Sequence, residues 1–97
     1  MPAYVILNID VSDPDLFEAY KQLAPATIAA YGGKYLARGG KAEALEGDWT
    51  PARVVILEFD STDRAKAWID SPEYRAARAM RQQAATSHTI LVEGIEV

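Results

Sequence analysis

The sequence contains no cysteine, a single histidine and no long apolar run. Without cysteine, the chain has no disulfide, no thiolate nucleophile and no cysteine-ligated metal. With His88 as the one histidine, a site built from several histidines of one chain is excluded, and we expect no metal or other cofactor. No apolar stretch approaches the roughly 20 residues that a membrane-spanning helix needs. The N-terminus lacks the basic segment of a signal peptide, so we expect a cytoplasmic protein without a membrane partner.

Basic residues and the common catalytic motifs are also scarce. Ten Lys and Arg residues stand against 14 Asp and Glu, which gives a formal net charge of −4. Because phosphate contacts dominate the affinity for nucleic acids, this balance argues against a nucleic-acid partner. No glycine-rich phosphate loop, GxSxG or HExxH pattern occurs. Nucleotide-binding, serine-hydrolase and zinc-protease functions are therefore not indicated.

The 97 residues amount to a single domain, assigned to residues 1–97, and their 49% apolar content is ordinary for a globular protein. Runs rich in β-branched residues predict four strands, at 3–11, 34–39, 52–60 and 88–97. Helical periodicity separates the first strand from the second and the third from the fourth. The order β-α-β-β-α-β predicts an α+β, ferredoxin-like fold: a four-stranded antiparallel-type sheet with helices on one face.

The predicted helices have clear boundary signals and one interruption. Asp13 followed by Pro14 marks the start of the first helix, and a pair of glycines ends it. Pro25 lies inside this helix and predicts a kink or a split, because proline has no backbone N–H to donate. Ser71 and Pro72 predict a second start within the later helical region, which therefore consists of two helices.

Three arginines are spaced by three residues in the last helix: Arg75, Arg78 and Arg81. We interpret them as part of a solvated helix face, with an anion-binding patch as the alternative. The inward stripe of this helix is predicted from apolar residues at helical spacing: Tyr74, Ala77, Met80 and Ala84. The corresponding stripe of the first helix is predicted at Leu16, Tyr20, Leu23, Thr27, Ile28 and Tyr31.

Both faces of the predicted sheet are apolar at their centre. Val5 and Leu7 would face the helices, whereas Tyr4 and Ile6 stand on the other side, and the third strand repeats this pattern. Two helices can cover only one face of the sheet, so the other face would leave an apolar patch that soluble monomers avoid. We therefore expect a homodimer in which the helix-free faces of two sheets pack together.

Three polar side chains interrupt the helix-free face in this alternation: Asn8, Arg38 and Glu58. The third strand lies between the first and second in this fold, so Glu58 is expected beside Arg38, with Asn8 on the other flank. Two interpretations stay open. The pair is either an ion pair in a ligand cleft, or a structural cross-strand pair that fixes the register at the dimer core.

Several short motifs occur in order along the chain: Tyr31-Gly-Gly-Lys-Tyr, Arg38-Gly-Gly, Leu45-Glu-Gly-Asp-Trp49 and Ser71-Pro-Glu-Tyr74. In this combination they resemble, over essentially the whole chain, a bacterial family known only as domain of unknown function 1330. The resemblance implies the dimeric α+β barrel superfamily, which includes cofactor-free monooxygenases, haem-degrading enzymes, isomerases and ligand binders. Such a range leaves the activity open, because a fold does not settle function.

We predict a small-molecule-binding protein or a cofactor-independent enzyme whose ligand carries a carbonyl or a carboxylate. Arg38 would bind its anionic end, and Asn8 and Tyr31 would orient it. Glu58 or His88 would transfer a proton in an isomerase- or lyase-type step, with monooxygenase-like chemistry as the next possibility. The alternative is a non-catalytic dimeric module in which these residues are structural, so the sequence leaves open whether the chain is an enzyme.

Overall fold

The computed structural model describes residues 1–96. The elements, in chain order, are β1 (Ala3–Val11), α1 (Pro14–Ala30), β2 (Lys34–Arg38), β3 (Arg53–Phe59), α2 (Thr62–Ile69), α3 (Pro72–Ala84) and β4 (Ala85–Glu93). The strands form one antiparallel sheet in the spatial order β2-β3-β1-β4. This arrangement confirms the predicted ferredoxin-like α+β fold, with the helices against one face of the sheet.

Side-chain caps fix the starts of all three helices. Asp13, Ser61 and Ser71 each accept a hydrogen bond from a backbone N–H in the first turn of the helix that follows. The cap at Ser71 confirms the predicted second start, because it separates α3 from α2. Within residues 1–96, no helix has the length and hydrophobicity needed to cross a membrane.

Pro25 does not split α1, which runs uninterrupted for 17 residues. Because proline has no N–H, the carbonyl of Lys21, four residues earlier, loses its helical donor. The guanidinium of Arg38 donates to this carbonyl instead, with an Nη2–O distance of 3.4 Å. A side chain from the neighbouring strand therefore compensates for the missing backbone bond.

The alternation in β1 and β3 is as predicted. Every second residue of these strands is buried against the helices: Ala3, Val5, Leu7, Ile9, Val55, Leu57 and Phe59. Trp68 and Tyr74 are completely buried above them, with ring centroids 4.2 Å apart. The core thus lies between one face of the sheet and the three helices, and the intervening residues of β1 and β3 occupy the helix-free face.

The inward stripes of two helices differ slightly from the prediction. In α1 the buried residues are Phe17, Tyr20, Ala24 and Ile28. Leu23, which was predicted to face inward, is 45% exposed. In α3 the buried positions are 74, 77, 81 and 84, so Arg81 takes the place in the stripe that was predicted for Met80, which is only partly buried. A cation therefore occupies a position where the pattern predicted an apolar residue.

The prediction that β4 starts at residue 88 is wrong, because the strand begins at Ala85 directly after α3. The last helical carbonyl, that of Ala84, accepts hydrogen bonds from the backbone N–H groups of Ser12 and Asp13, at 2.8 and 2.9 Å. These donors end the helix without the glycine or proline that sequence analysis relies on. His88 consequently lies in mid-strand. The strand ends at Glu93, before the predicted end at 97, which is outside the described residues.

A β-bulge in β2 contradicts the predicted position of Arg38. Tyr35 and Ala37 pair with the consecutive residues Leu57 and Ile56 of β3, so one residue of β2 is left over between them. Such an extra residue reverses the facing of the residues after it, relative to regular alternation. Arg38 therefore lies on the helix side of the sheet, with its guanidinium 4.7 Å from the centroid of the Tyr35 ring.

Candidate functional site

The predicted pairing of Arg38 with Glu58 is wrong, because the two side chains lie on opposite faces of the sheet. Glu58 lies on the helix-free face, where the Nζ of Lys34 approaches its carboxylate at 3.7 Å. Lys34 is its direct cross-strand partner in β2, before the bulge. The Lys34 side chain is 68% exposed and that of Glu58 is 25% exposed, and a partly exposed pair at this distance contributes little to stability. The role of Glu58 as a base stays a prediction, without Arg38 as its partner.

Asn8 and His88 are direct cross-strand partners on the helix-free face, in β1 and β4. The Oδ1 of Asn8 accepts a hydrogen bond from the N–H of Ala52, at 3.0 Å, and so fixes the chain immediately before β3. His88 is exposed. The geometry therefore brings these two predicted site residues together, and their roles toward a ligand stay predictions.

Tyr31 caps the C-terminal end of α1 and contacts the other two helices. Its hydroxyl donates to the Glu73 carboxylate at 2.9 Å, and the Arg64 guanidinium lies 5.0 Å from the centroid of its ring. The hydrogen bond to Glu73 raises the pKa of Tyr31, so the hydroxyl stays protonated at neutral pH. These contacts join the helices to one another, whereas the other four predicted site residues belong to the sheet.

The layer between the helices and the sheet narrows almost to closure along β2. Arg38 and Arg53 stand at this edge, and the Arg53 guanidinium lies 5.4 Å from the centroid of the Phe17 ring. The remaining space is about 20 Å³, which suffices for about one water molecule. This edge has arginines and aromatic rings but no room for a ligand.

The same layer opens along β4 into a cavity of about 450 Å³, here called the β4 cleft. It lies between α2, α3 and β4, and its volume is within the range of small-molecule sites. Its apolar residues include Val5, Ala65, Ile69, Ala85 and Leu91, and its polar residues are Lys66, Arg78, Arg81, Gln82, Ser87 and Thr89. Three of these are cations, and the lining, as far as the structure describes it, includes no Asp, Glu or His.

Arg81 is the residue of the β4 cleft with the least compensated charge. It is only 4% exposed, and its Nη1 makes one long contact, 3.4 Å, to the Oγ1 of Thr89. Its Nε is buried without a hydrogen-bond partner, and no carboxylate of residues 1–96 forms an ion pair with it. Sequence analysis missed this residue, although its spacing from Tyr74 and Ala77 matched the inward stripe of α3.

Arg78 has its charge compensated at the outer part of the cleft. Its Nη1 donates to the Asp70 carboxylate at 2.9 Å and to the backbone carbonyl of Ile69 at 3.1 Å. Arg78 is half-buried and its Nε also lacks a hydrogen-bond partner, but an acidic partner balances its charge, which is the ordinary arrangement for a buried arginine. Arg78 and Arg81, which were both predicted on a solvated face of the helix, therefore differ in burial and in partners.

A buried pair of tyrosines lies in the core beside this region. The hydroxyls of Tyr20 and Tyr74 are 2.7 Å apart, and both side chains are buried. Burial raises the pKa of both hydroxyls, an effect that the positive charge of Arg81 partly opposes. Both tyrosines are therefore neutral at physiological pH and leave the charge of Arg81 uncompensated.

A model of the family described as Domain of unknown function (DUF1330) matches residues 2–95. A search of curated proteins finds no match. Among solved structures, the RPA0582 protein of unknown function from Rhodopseudomonas palustris is 24% identical, with a TM-score of 0.73 over 99% of this chain and 84% of that chain.

Two further solved structures share the fold at lower identity. SnoaB, a cofactor-independent oxygenase from Streptomyces nogalater, is 13% identical, with a TM-score of 0.66 over 99% of this chain and 95% of that chain. A dimeric protein of unknown function with a ferredoxin-like fold from Bacteroides fragilis is 16% identical, with a TM-score of 0.65 over 96% of each chain. At these identities the likeness shows the fold alone.

Proposed function

The chain belongs to the family described as Domain of unknown function (DUF1330), and we propose that it is a homodimer whose subunits each bind a small carbonyl- or carboxylate-bearing molecule in the β4 cleft. The observation that carries this proposal is the cleft itself. A volume of about 450 Å³, apolar walls and a few convergent polar groups are the usual features of a small-molecule site.

The lining of the β4 cleft favours ligand binding over acid–base catalysis. Its polar groups are cations, hydroxyls and an amide, whereas Glu58 and His88 lie on the other face of the sheet. A cofactor-independent reaction in this cleft would therefore depend on the cations stabilising an anionic form of the ligand. SnoaB, which shares the fold, is a cofactor-independent oxygenase. This likeness supports a cofactor-independent reaction if the proposed binding site is also catalytic.

The helix-free face is the proposed dimer interface, with a second copy of the chain as its occupant. Ile90 and Val92 are 56% and 42% exposed in one subunit, and they adjoin Ile6 and Tyr4 in the sheet register. Burial of this apolar patch would provide the driving force for association. The description of the Bacteroides fragilis neighbour as dimeric supports the same assembly.

Light scattering of a matched pair of variants tests the interface. Ile90→Glu places a charge within the patch, on the edge strand β4 beside Ile6, and is expected to convert the dimer into a monomer at micromolar concentration. Leu45→Glu is the control, because Leu45 is 90% exposed in the loop between β2 and β3, outside the sheet. A wild-type monomer, or a dimer that survives Ile90→Glu, would contradict this interface.

A second pair of variants tests the cleft. Gln82 and Gln83 are both exposed on α3, but only Gln82 lines the β4 cleft. A panel of small acids and ketones is expected to contain compounds that raise the Tm of the wild type and of Gln83→Trp but not of Gln82→Trp. If no compound raises the Tm, or if Gln82→Trp responds like the wild type, the cleft is not the binding site.

A further inference from the structure

We propose that the β4 cleft contains a carboxylate subsite, formed by the guanidinium of Arg81 with the hydroxyls of Ser87 and Thr89. The ligand is then a small monocarboxylic acid with an apolar body, rather than a neutral carbonyl compound. This inference rests on the proposed function and specifies the chemistry of its ligand.

Arg81 is buried without an acidic partner among residues 1–96. A buried charge is costly unless it is paired and hydrogen-bonded, and folded proteins nearly always provide such a partner. Arg81 is 4% exposed, forms no ion pair with the described carboxylates and leaves its Nε without a partner. A bound anion would supply the missing partner.

Two hydroxyl groups of β4 border the same cavity as Arg81. Ser87 and Thr89 are two residues apart in the strand, so both side chains are on its helix side and both line the cleft. The Oγ of Ser87 is buried without a hydrogen-bond partner, like the Nε of Arg81. Unpartnered donors from α3 and from β4 therefore border one cavity, as expected for a binding site that is complete only with its ligand.

The geometry and charge of these groups favour a carboxylate. A guanidinium presents parallel N–H groups that match the two oxygens of a carboxylate, and hydroxyls can donate to the same oxygens. Arg81 is the deeply buried cation, whereas Arg78 is already occupied by Asp70, and Lys66 is exposed. One free guanidinium fits a single negative charge better than the double charge of a phosphate.

The rest of the cleft accommodates the apolar part of such an acid. Val5, Ala65, Ile69 and Leu91 border the same cavity, and about 450 Å³ is enough for a ring or a short chain. Along β2, the corresponding arginines offer no comparable site, because the space beside them is about 20 Å³. Of these two spaces, the β4 cleft is therefore the one that can bind both the charged and the apolar part of the ligand.

Paired probes separate charge from shape. The Tm of the wild-type protein is measured with benzoate and hexanoate, and with the neutral amides benzamide and hexanamide, which have nearly the same shape. Because hydrogen bonds to charged groups are stronger than neutral ones, the acids are expected to bind at least about tenfold more tightly than the amides. Inorganic phosphate is the third probe and is expected to bind more weakly than the acids.

Variants on one helix assign the effect to Arg81. Arg81→Met is expected to abolish the difference between acids and amides, while the ligand-free Tm stays the same or rises, because an uncompensated buried charge has been removed. A structural role would instead lower the ligand-free Tm. Arg75→Met is the matched control, since Arg75 is exposed on α3 and does not line the β4 cleft.

Each outcome decides between the inference and the function on which it rests. If amides bind as well as acids, or if phosphate binds best, the carboxylate subsite is overturned and the binding function stands. If none of the acids and amides raises the Tm, the carboxylate subsite is overturned, and the panel of acids and ketones decides whether the binding function stands. Should Arg81→Met fail to fold, Ser87→Ala decides: weaker binding of benzoate supports the subsite, and unchanged binding overturns it.

Discussion

The two edges of the layer between helices and sheet both have arginines, but their surroundings differ. Along β2, Arg38 lies over the ring of Tyr35 and Arg53 over that of Phe17, in a space of about 20 Å³. Along β4, Arg81 borders about 450 Å³, and within the described residues it is stacked on no aromatic ring and paired with no acid. If Arg81 binds a ligand as proposed, the partners of an arginine, rather than its presence, distinguish the structural cations along β2 from the binding cation along β4.

High pH is expected to have the largest effect, because it acts on the tyrosine pair in the core between the two edges. Burial raises the pKa of Tyr20 and Tyr74 above the ordinary value of 10.0. The unfolded chain therefore releases these protons first, so the free energy of unfolding is unaffected below about pH 10 and falls as the pH rises further. Urea denaturation followed by circular dichroism is expected to show this loss.

A double variant is the control for the effect of alkali. Tyr20→Phe combined with Tyr74→Phe removes both buried hydroxyls together, so neither loses its partner. The double variant is expected to keep its stability to higher pH than the wild type. If both proteins lose stability over the same pH range, ionisation of this pair does not cause the alkaline unfolding.

Gly39 offers a test of the packed edge along β2. Its φ is +73°, and a Cβ at this position would overlap the guanidinium of Arg53. Gly39→Ala is therefore expected to lower the free energy of unfolding by about 1–2 kcal/mol, mainly from backbone strain, with a smaller contribution from displacement of the end of the Arg53 side chain. Gly47→Ala is the matched control: its φ is +86° but nothing lies within 4 Å, so a loss of about 1 kcal/mol is expected. Equal losses in chemical denaturation would show that Arg53 is not held tightly.

Pro25 and Arg38 allow a finer test of the same edge. Pro25→Ala restores a backbone donor to the carbonyl of Lys21, so the bond from Arg38 becomes redundant. A double-mutant cycle with Arg38→Met is expected to give a coupling of about 0.5 kcal/mol. Arg53→Met, which does not contact Lys21, is the control and is expected to be additive with Pro25→Ala. If the effects of Arg38→Met and Pro25→Ala on the free energy of unfolding are also additive, Arg38 does not have the compensating role.

The features that the sequence predicted correctly depend on local patterns. The facing of β1 and β3 follows from strict alternation, and the predicted helix starts follow from Asp13 and Ser71, each of which caps its own first turn. These interactions involve residues within a few positions of one another, so they can be recognised without knowledge of the tertiary structure.

The features that the sequence did not predict depend on distant parts of the chain. The early start of β4 results from Ser12 and Asp13 bonding to Ala84. The position of Arg38 depends on how β2 pairs with β3, which the sequence of β2 does not specify. Arg81 is different, because its spacing from Tyr74 and Ala77 in α3 indicates an inward position, whereas arginine side chains are usually solvated.

The unpaired residue of β2 is Leu36, which is 51% exposed. A chain lacking this one residue would form a regular strand in which Tyr35 and Arg38 keep their present sides. Homologous sequences that differ in length by one residue here can therefore share the same surfaces. An alignment that places the gap after Arg38 would assign this arginine to the wrong side of the sheet. The placement of the gap at residue 36 therefore determines which side chains are attributed to each face.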